Sequence, residues 1–326
     1  MRFRSTSSLR AGVGAVLLAA GLSTAAFAYP TKPITIIVPF PAGAGPDVVA
    51  RLLAERLGPQ LKESIVVENR PGASGMVGAT AVARSPADGH TLLLTPNTLF
   101  IAPHLTAGDA KPPVDVIADF EPVIMPSQTT MVMVANPKLG VKTAREFADL
   151  AKKQTISYAS SGNGSVLHIA GALFASSAGV SMTHVPYRGI APAVTDVIAG
   201  HVQVTFAGLA PVTQHVNSGA LTALAVLDPK RSPSMANVPT AIEQGFSDVA
   251  VEGWYAVLAP KGTPRDVVQR LNKELNAILA SAEAKQKIEQ TGEVVLGGTP
   301  DDLAKRMKAD YDRYGEIVRR LKITAE

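Results

Sequence analysis

The chain has 326 residues, with 31 Lys and Arg against 27 Asp and Glu, six His and no Cys. Without Cys there is no disulfide framework, no thiolate metal site and no lipid-anchored cysteine. The basic surplus sits at the start: residues 1–28 hold Arg2, Arg4 and Arg10 and no acid, and the remainder carries 28 basic against 27 acidic residues, which removes the ground for nucleic-acid binding.

Residues 1–28 run from those arginines through an apolar stretch at 11–21 to Ala26, Phe27 and Ala28. This is the pattern of a secretory signal cleaved after Ala28, which places the mature protein in the periplasm. The apolar stretch falls short of the about 20 residues that span a bilayer, and no later segment is long enough. The remaining residues, about 298, are too many for one compact core, so two lobes are expected: 29–126 with 254–326, and 127–253.

From the new start, strands and helices alternate. An apolar run at 34–38 predicts a strand, and Val48, Val49, Leu52, Leu53 and Leu57 keep helical spacing behind Asp47. Strands at 65–67 and 91–94 flank a small-residue helix at 76–83, and 123–125 and 131–134 read as extended across the passage to a second lobe. There the alternation restarts. Thr143 and Glu146 form a candidate capping box for a helix to Lys152. It is followed by strands at 156–158, 182–185 and 202–206 with helices at 165–178 and 191–199 between them. A strand at 253–258 brings the chain back, with Trp254 either at the hinge or in the core. Three helical stretches then close the first lobe, the first capped by Thr263 and Asp266. Strand–helix alternation predicts mainly parallel sheets with right-handed crossovers.

Three strand-to-helix junctions are rich in Gly, Ser and Asn: 39–47 (PFPAGAGPD), 95–98 (TPNT) and 159–165 (ASSGNGS). A helix start leaves main-chain donors unpaired and carries partial positive charge, so such a junction can hold a carboxylate without a lysine. Micromolar affinity needs about 8 kcal/mol and one helix start gives at most about 2. Several charged hydrogen bonds, at about 1.5–3 kcal/mol each and drawn from both lobes, are therefore required. Each loop taken alone reads equally well as an ordinary tight turn.

Catalytic and metal signatures are missing: there is no G-x-S-x-G and no H-E-x-x-H, and the histidines are scattered. No cofactor and no metal is expected. His168, one helical turn after Ser165, faces the cleft or is structural, and Tyr187 with Arg188 offers either a ring and a guanidinium to a ligand or an exposed turn. A secreted α/β hydrolase using Ser161 or Ser165 is the alternative from another class, and a receptor that presents its ligand to a membrane sensor is a third.

Several ordered motifs, among them 29–34 (YPTKPI), 38–41 (VPFP) with Gly43 and Asp47, 66–72 (VVENRPG), 87–92 (ADGHTL), 158–164 (YASSGNG) with His168, 184–189 (HVPYRG) and 230–233 (KRSP), resemble the tripartite tricarboxylate transporter solute receptors, the Bug family. The resemblance covers the chain from Tyr29 onward. It implies an α/β, two-lobed, type II (Venus-flytrap) periplasmic binding fold that catalyses nothing. A small carboxylate would be held between the lobes for membrane permease subunits, by a monomer. By matching position, Phe40, Ala42, Gly43, Ala44 and Asp47 form one ligand loop. Ser160, Gly162, Asn163, Gly164 and Ser165 form the opposing one, with Asn97, His168, Tyr187 and Arg188 alongside. Relatives commonly carry an acid or amide where this chain has Ala207 and Gly208, and hydroxyls where it has Ala44 to Pro46, so a dicarboxylate or aromatic carboxylate is favoured over an amino acid unless a water or Asp196 supplies the acceptor.

Overall fold

A computed structural model describes Met1, residues 29–105 and residues 112–324. The expected signal segment lies outside the described residues apart from Met1. No helix among the described residues is long and apolar enough to cross a membrane.

The chain opens with β1 (Ile34–Val38), α1 (Gly45–Leu61), β2 (Ile65–Asn69), α2 (Met76–Ala83) and β3 (Thr91–Pro96), in parallel register about β1. β1 shows how sequence becomes layer. Its side chains alternate between the two faces of the sheet, so Ile34, Ile36 and Val38 enter the core under α1 while Ile37 enters the core under α2. Two strands follow: the long β4 (Phe120–Thr129) stays in this first sheet, and β5 (Met131–Ala135) starts the second. Thr130 is the crossing.

The second sheet is built from α3 (Ala144–Ala151), β6 (Ile156–Ser160), α4 (Val166–Ala178), β7 (Met182–Pro186), α5 (Ile190–Ala199), β8 (Val204–Gly208), α6 (Thr213–Asn217) and β9 (Thr222–Val226), in strand order β7-β6-β8-β5-β9. β10 (Gly253–Pro260) returns to the first sheet, and α7 (Arg265–Leu279), α8 (Ala282–Gln290), β11 (Glu293–Gly297) and α9 (Pro300–Leu321) complete it, in order β11-β4-β10-β3-β1-β2.

Both sheets are mixed rather than mainly parallel. β1, β2 and β3 pair parallel, as do β7, β6 and β8, but β10 runs antiparallel to β3 and β4, and β5 antiparallel to β8 and β9. The reason is connectivity, because β5 and β10 carry the chain from one sheet into the other and no crossover helix turns them parallel.

Two caps depart from expectation. Thr143 Oγ1 accepts from Glu146 N, as a capping residue should, but the Glu146 carboxylate reaches Lys142 N instead of closing the box. α7 has no side-chain cap; its N-cap is Pro264, and Thr263 donates to the Pro260 carbonyl.

α9 belongs to both halves. Its first turns set Leu303 and Met307 into the core with Trp254, and its last turns set Tyr314, Ile317 and Val318 into the core beneath α4. At 22 residues it is about 33 Å long, enough to bridge the two.

Core packing decides the sign of one substitution. Gly171 on α4 lies against the buried Tyr158 ring, where an added Cβ would stand 2.1, 2.4 and 2.8 Å from three ring atoms. Alanine would gain about 1 kcal/mol of helix propensity, yet overpacking of a close-packed interior costs about 1–3 kcal/mol and sometimes more. The ring is itself stacked against His184 at 4.9 Å and cannot swing aside. Gly171→Ala is expected to destabilise the protein by roughly 2 kcal/mol in urea unfolding; a raised midpoint would show that the packing argument is wrong.

Candidate functional site

The first loop is shaped by Asp47. Gly43 takes a left-handed φ of +80°, which a glycine adopts freely, and its N–H donates to Asp47 Oδ2 at 2.8 Å. Arg51 Nε donates to the same oxygen at 3.0 Å, and Asn69 Nδ2 donates to Oδ1 at 2.9 Å and to the Phe40 carbonyl at 3.0 Å. Burial alone would raise the Asp47 carboxyl, but the hydrogen bonds from Arg51, Gly43 and Asn69 and the Arg51 charge hold it below the usual carboxylate range. Its oxygens are spent on the loop itself. Ala42 and Gly43 are exposed, Phe40 is partly buried, and Ala44 is the N-cap of α1 without a side-chain cap. Pro46 has no N–H, so the orphan donor of the first turn is that of Gly45.

The second loop is also braced from within. Gly162 N–H donates to Ser160 Oγ, Gly164 N–H to His168 Nδ1 at 3.1 Å, and Ser165 N–H to the Gly162 carbonyl. Ser165 caps α4 by accepting from His168 N. The glycine donors that the sequence left open are thus taken by neighbours, and Asn163 stands at the tip between the two glycines. The donors that helix geometry leaves over are those of Val166 and Leu167.

His168 lies under the loop, stacked on His184 with ring centroids 3.7 Å apart, and His184 Nε2 meets Ser160 Oγ at 2.7 Å. Burial, then the His184 charge, lowers His168 to about 4, and burial lowers His184 to about 4, so both rings are neutral at pH 7. His184 was not among the expected site residues. Its position opposite Tyr158 in the β6–β7 register is the signal that finds it.

Tyr187 adjoins this loop through its N–H, which donates to the Ser160 carbonyl, but its hydroxyl turns away to Asp196 Oδ2 at 2.6 Å. Asp196 also meets His201 Nδ1 at 3.3 Å, so each of its oxygens carries one hydrogen bond. Arg188 is exposed on the turn. Ala207 is buried at the end of β8, and at Gly208 an added Cβ would sit 2.9 Å from Thr129 Oγ1. The hydroxyl of Thr129 fills the space that a side chain at position 208 would need.

Asn97 is fully buried, with Nδ2 donating to the Glu252 carbonyl at 3.0 Å and lying 3.5 Å from Asp310 Oδ2. It is part of the crossing between the sheets, together with Trp254, whose Nε1 donates to Asp310 Oδ2 at 2.7 Å and whose ring stacks on Phe100.

Besides α9 and the contact of Thr129 with Gly208, the halves approach closely at two further glycines. Gly164 leaves room for Leu105, and Gly292, just before β11, leaves room for Ala210, just after β8. Beneath the start of α1 lies a cluster absent from the sequence reading: Glu293, buried, receives Ser127 Oγ and the Tyr255 hydroxyl, and an added Cβ on Gly45 would stand 2.3 Å from that hydroxyl. Of two surface grooves, of about 390 and 360 Å³, one runs along Asp248, Arg313 and Arg320, and the other opens beside the second loop along Asn163, His168, His184 and Lys322; the first loop bounds neither.

The hydrolase alternative names Ser161 and Ser165. Ser165 is committed as a cap, Ser160 rather than Ser161 meets a histidine, and among the described residues neither His168 nor His184 has a carboxylate within ion-pair distance.

Two mixed α/β sheets joined by a double crossing, each with a glycine-rich helix start, have the architecture of the two-lobed periplasmic binding proteins. Known proteins agree. The structure of periplasmic binding protein BugD is 34% identical and superposes with a TM-score of 0.81, covering 91% of this chain and 100% of that one. Rpa4515 of R. palustris, solved with adipate, is 31% identical with a TM-score of 0.83, covering 91% of this chain and 99% of that one. In sequence, the protein BugT of Bordetella pertussis is 35% identical over 315 residues, 95% of this chain and 96% of that one. Residues 49–323 match the TctC model, and the chain belongs to this family, the tripartite tricarboxylate transporter family receptors.

Proposed function

We propose that the protein captures a small dicarboxylate or aromatic carboxylate between its two lobes, whose chain crossing falls at Thr130 rather than at 126/127, and delivers it to the membrane permease subunits of a tripartite tricarboxylate transporter. The observation that carries this reading is the pair of helix starts, α1 and α4, whose loops are braced by their own side chains. Asp47 and His168 absorb the inner donors and fix the turns, leaving the first-turn N–H groups of Gly45, Val166 and Leu167 as donors for a carboxylate at each end of a ligand. Phe40, Ala42, Gly43, Ala44, Asn163 and Ser165 would form the walls. Tyr187 and Arg188 stand at the rim, and Ala207 with Gly208 forms the floor.

Adipate, present in the structure of Rpa4515, is a dicarboxylate of this kind. The occupation of the space at Gly208 by Thr129, where a side chain would otherwise supply an acceptor, supports a ligand without an ammonium group. Export by the expected signal at 1–28 would place the receptor in the periplasm. Contacts from both lobes are what would favour a closed form, since a ligand shifts an equilibrium only by its differential affinity for the two states.

The test is a thermal-shift panel of adipate, shorter dicarboxylates, aromatic carboxylates and amino acids. At 100 times its dissociation constant the bound acid stabilises by about 2.7 kcal/mol, which is roughly 4 °C for a chain of this size. Stabilisation by amino acids alone, or recovery of a chemically altered ligand, would overturn the proposal.

A further inference from the structure

We propose that Glu293 takes up a proton from solvent when an anionic ligand binds at the start of α1, so that capture of a carboxylate is coupled to pH. This rests on the carboxylate reading above and adds to it a residue that acts through charge rather than contact.

The geometry places a buried carboxyl directly behind the helix start. Glu293 opens β11 opposite Thr129 of β4, beside the point where Gly292 touches Ala210 of the other half. Its Oε2 receives Ser127 Oγ, its carboxyl receives the Tyr255 hydroxyl, and an added Cβ on Gly45 would be 3.6 Å from Oε1. An anion held by the Gly45 N–H would therefore be bound by the residue that the Tyr255–Glu293 pair packs against. The two negative groups would compete for the same partial positive charge of α1.

No cation relieves the competition. Among the described residues Glu293 has no salt bridge. From β4 it meets the Ser127 hydroxyl and from β10 the Tyr255 phenol, which burial and then the Glu293 charge hold well above its ordinary value. On α1 the nearest acid, Asp47, is neutralised by Arg51. α7 reaches β11 through Asn276, its Arg270 pairing with Glu274. The charges of α8 pair among themselves and with α1, Lys287 with Glu283 and Glu55, and Lys285 with Glu289. Burial accordingly raises Glu293 to about 7, with the Ser127 and Tyr255 bonds pulling the other way, so near neutrality it exists in both forms. A neighbouring anion disfavours the ionised form further. The ordered consequence is that ligand binding drives protonation, and by reciprocity that rising pH weakens binding.

The experiment is calorimetric titration of the wild-type protein with adipate, and with the other acids of the panel, in buffers of different ionisation enthalpy. Proton uptake should be close to zero at about pH 5.5 and rise as pH passes about 7, with affinity falling severalfold between about pH 6.5 and 8.5. Glu293→Gln should remove the uptake and the pH dependence together. Ser127→Ala, which takes one donor from the ionised carboxylate, should move the midpoint of uptake to higher pH. Binding without buffer dependence at any pH, or uptake undiminished in Glu293→Gln, would overturn the coupling and leave the carboxylate reading standing. Failure of every acid to bind would overturn both.

Discussion

Asp310→Ala is expected to destabilise the protein by about 2–4 kcal/mol, the cost of stranding a buried indole N–H and taking one of two carboxylates from a half-buried guanidinium. Asp310 lies on α9 and is nearly inaccessible; Oδ2 accepts from Trp254 Nε1 at 2.7 Å, and Oδ1 lies 3.3 Å from Arg306 Nε. Arg306 in turn reaches Glu252 Oε2 at 2.7 Å and covers the Trp254 ring at 5.7 Å. The Glu252 carbonyl holds Asn97. One carboxylate thus joins the last helix, the return strand and the turn after β3 at the point where the chain changes sheets. Its removal strands an indole N–H and half-strands a guanidinium. Asp310→Asn keeps an acceptor for Trp254 and loses only the charge, so it should cost less than half as much. Urea unfolding of the two variants checks this: equal costs would mean that the indole bond is irrelevant, and a cost below about 1 kcal/mol for alanine would mean that the network does not tie the elements together.

Much of the architecture was legible because the chain punctuates itself. The apolar run at 34–38 and the small-residue helix at 76–83 coincide with β1 and α2. Gly43 and Gly164 marked the two loops because left-handed backbone favours glycine. β11 escaped for a physical reason: it lies at a sheet edge and is reversed in polarity, with Glu293 inward and Val294 and Leu296 largely exposed, so apolar alternation points the wrong way. The cluster beneath Gly45 escaped with it.

The destination of the loop donors was equally hidden. A glycine-rich junction announces free N–H groups, but whether they stay free depends on side chains that reach back from the helix, as Asp47 does to Gly43 and His168 to Gly164. Asn97 sits in a junction of the right composition, yet its amide is claimed by Glu252, 155 residues away. Spacing shows where a donor stands; only packing shows what has already taken it.

Acid should expose a contest between two kinds of buried group. The folded-state values of His168 and His184 lie at about 4, below the ordinary 6.5, so between these limits the unfolded chain binds more protons and stability falls as pH drops from about 6.5 to 4. Glu293 and Asp228 lie at about 7, above 4.5 and 3.8, raised mainly by burial; here the folded chain binds more protons and stability falls as pH rises from about 4 to 7. The two slopes oppose each other across nearly the same window, so the wild-type profile conceals both and single substitutions reveal them. His168→Gln retains an acceptor for Gly164 N–H and has no proton to refuse, so relative to wild type it should gain stability on acidification from about pH 6.5 to 4.5. Glu293→Gln should gain relative to wild type in the other direction, from about pH 4.5 to 8. Each difference is on the order of 3 kcal/mol at full burial, from about 1.4 kcal/mol per pH unit of displacement, and the less buried His184 would give less. Urea midpoints at three pH values measure both. Difference slopes of the same sign, or flat for both variants, would show that these rings and carboxyls are not held in the states their surroundings impose.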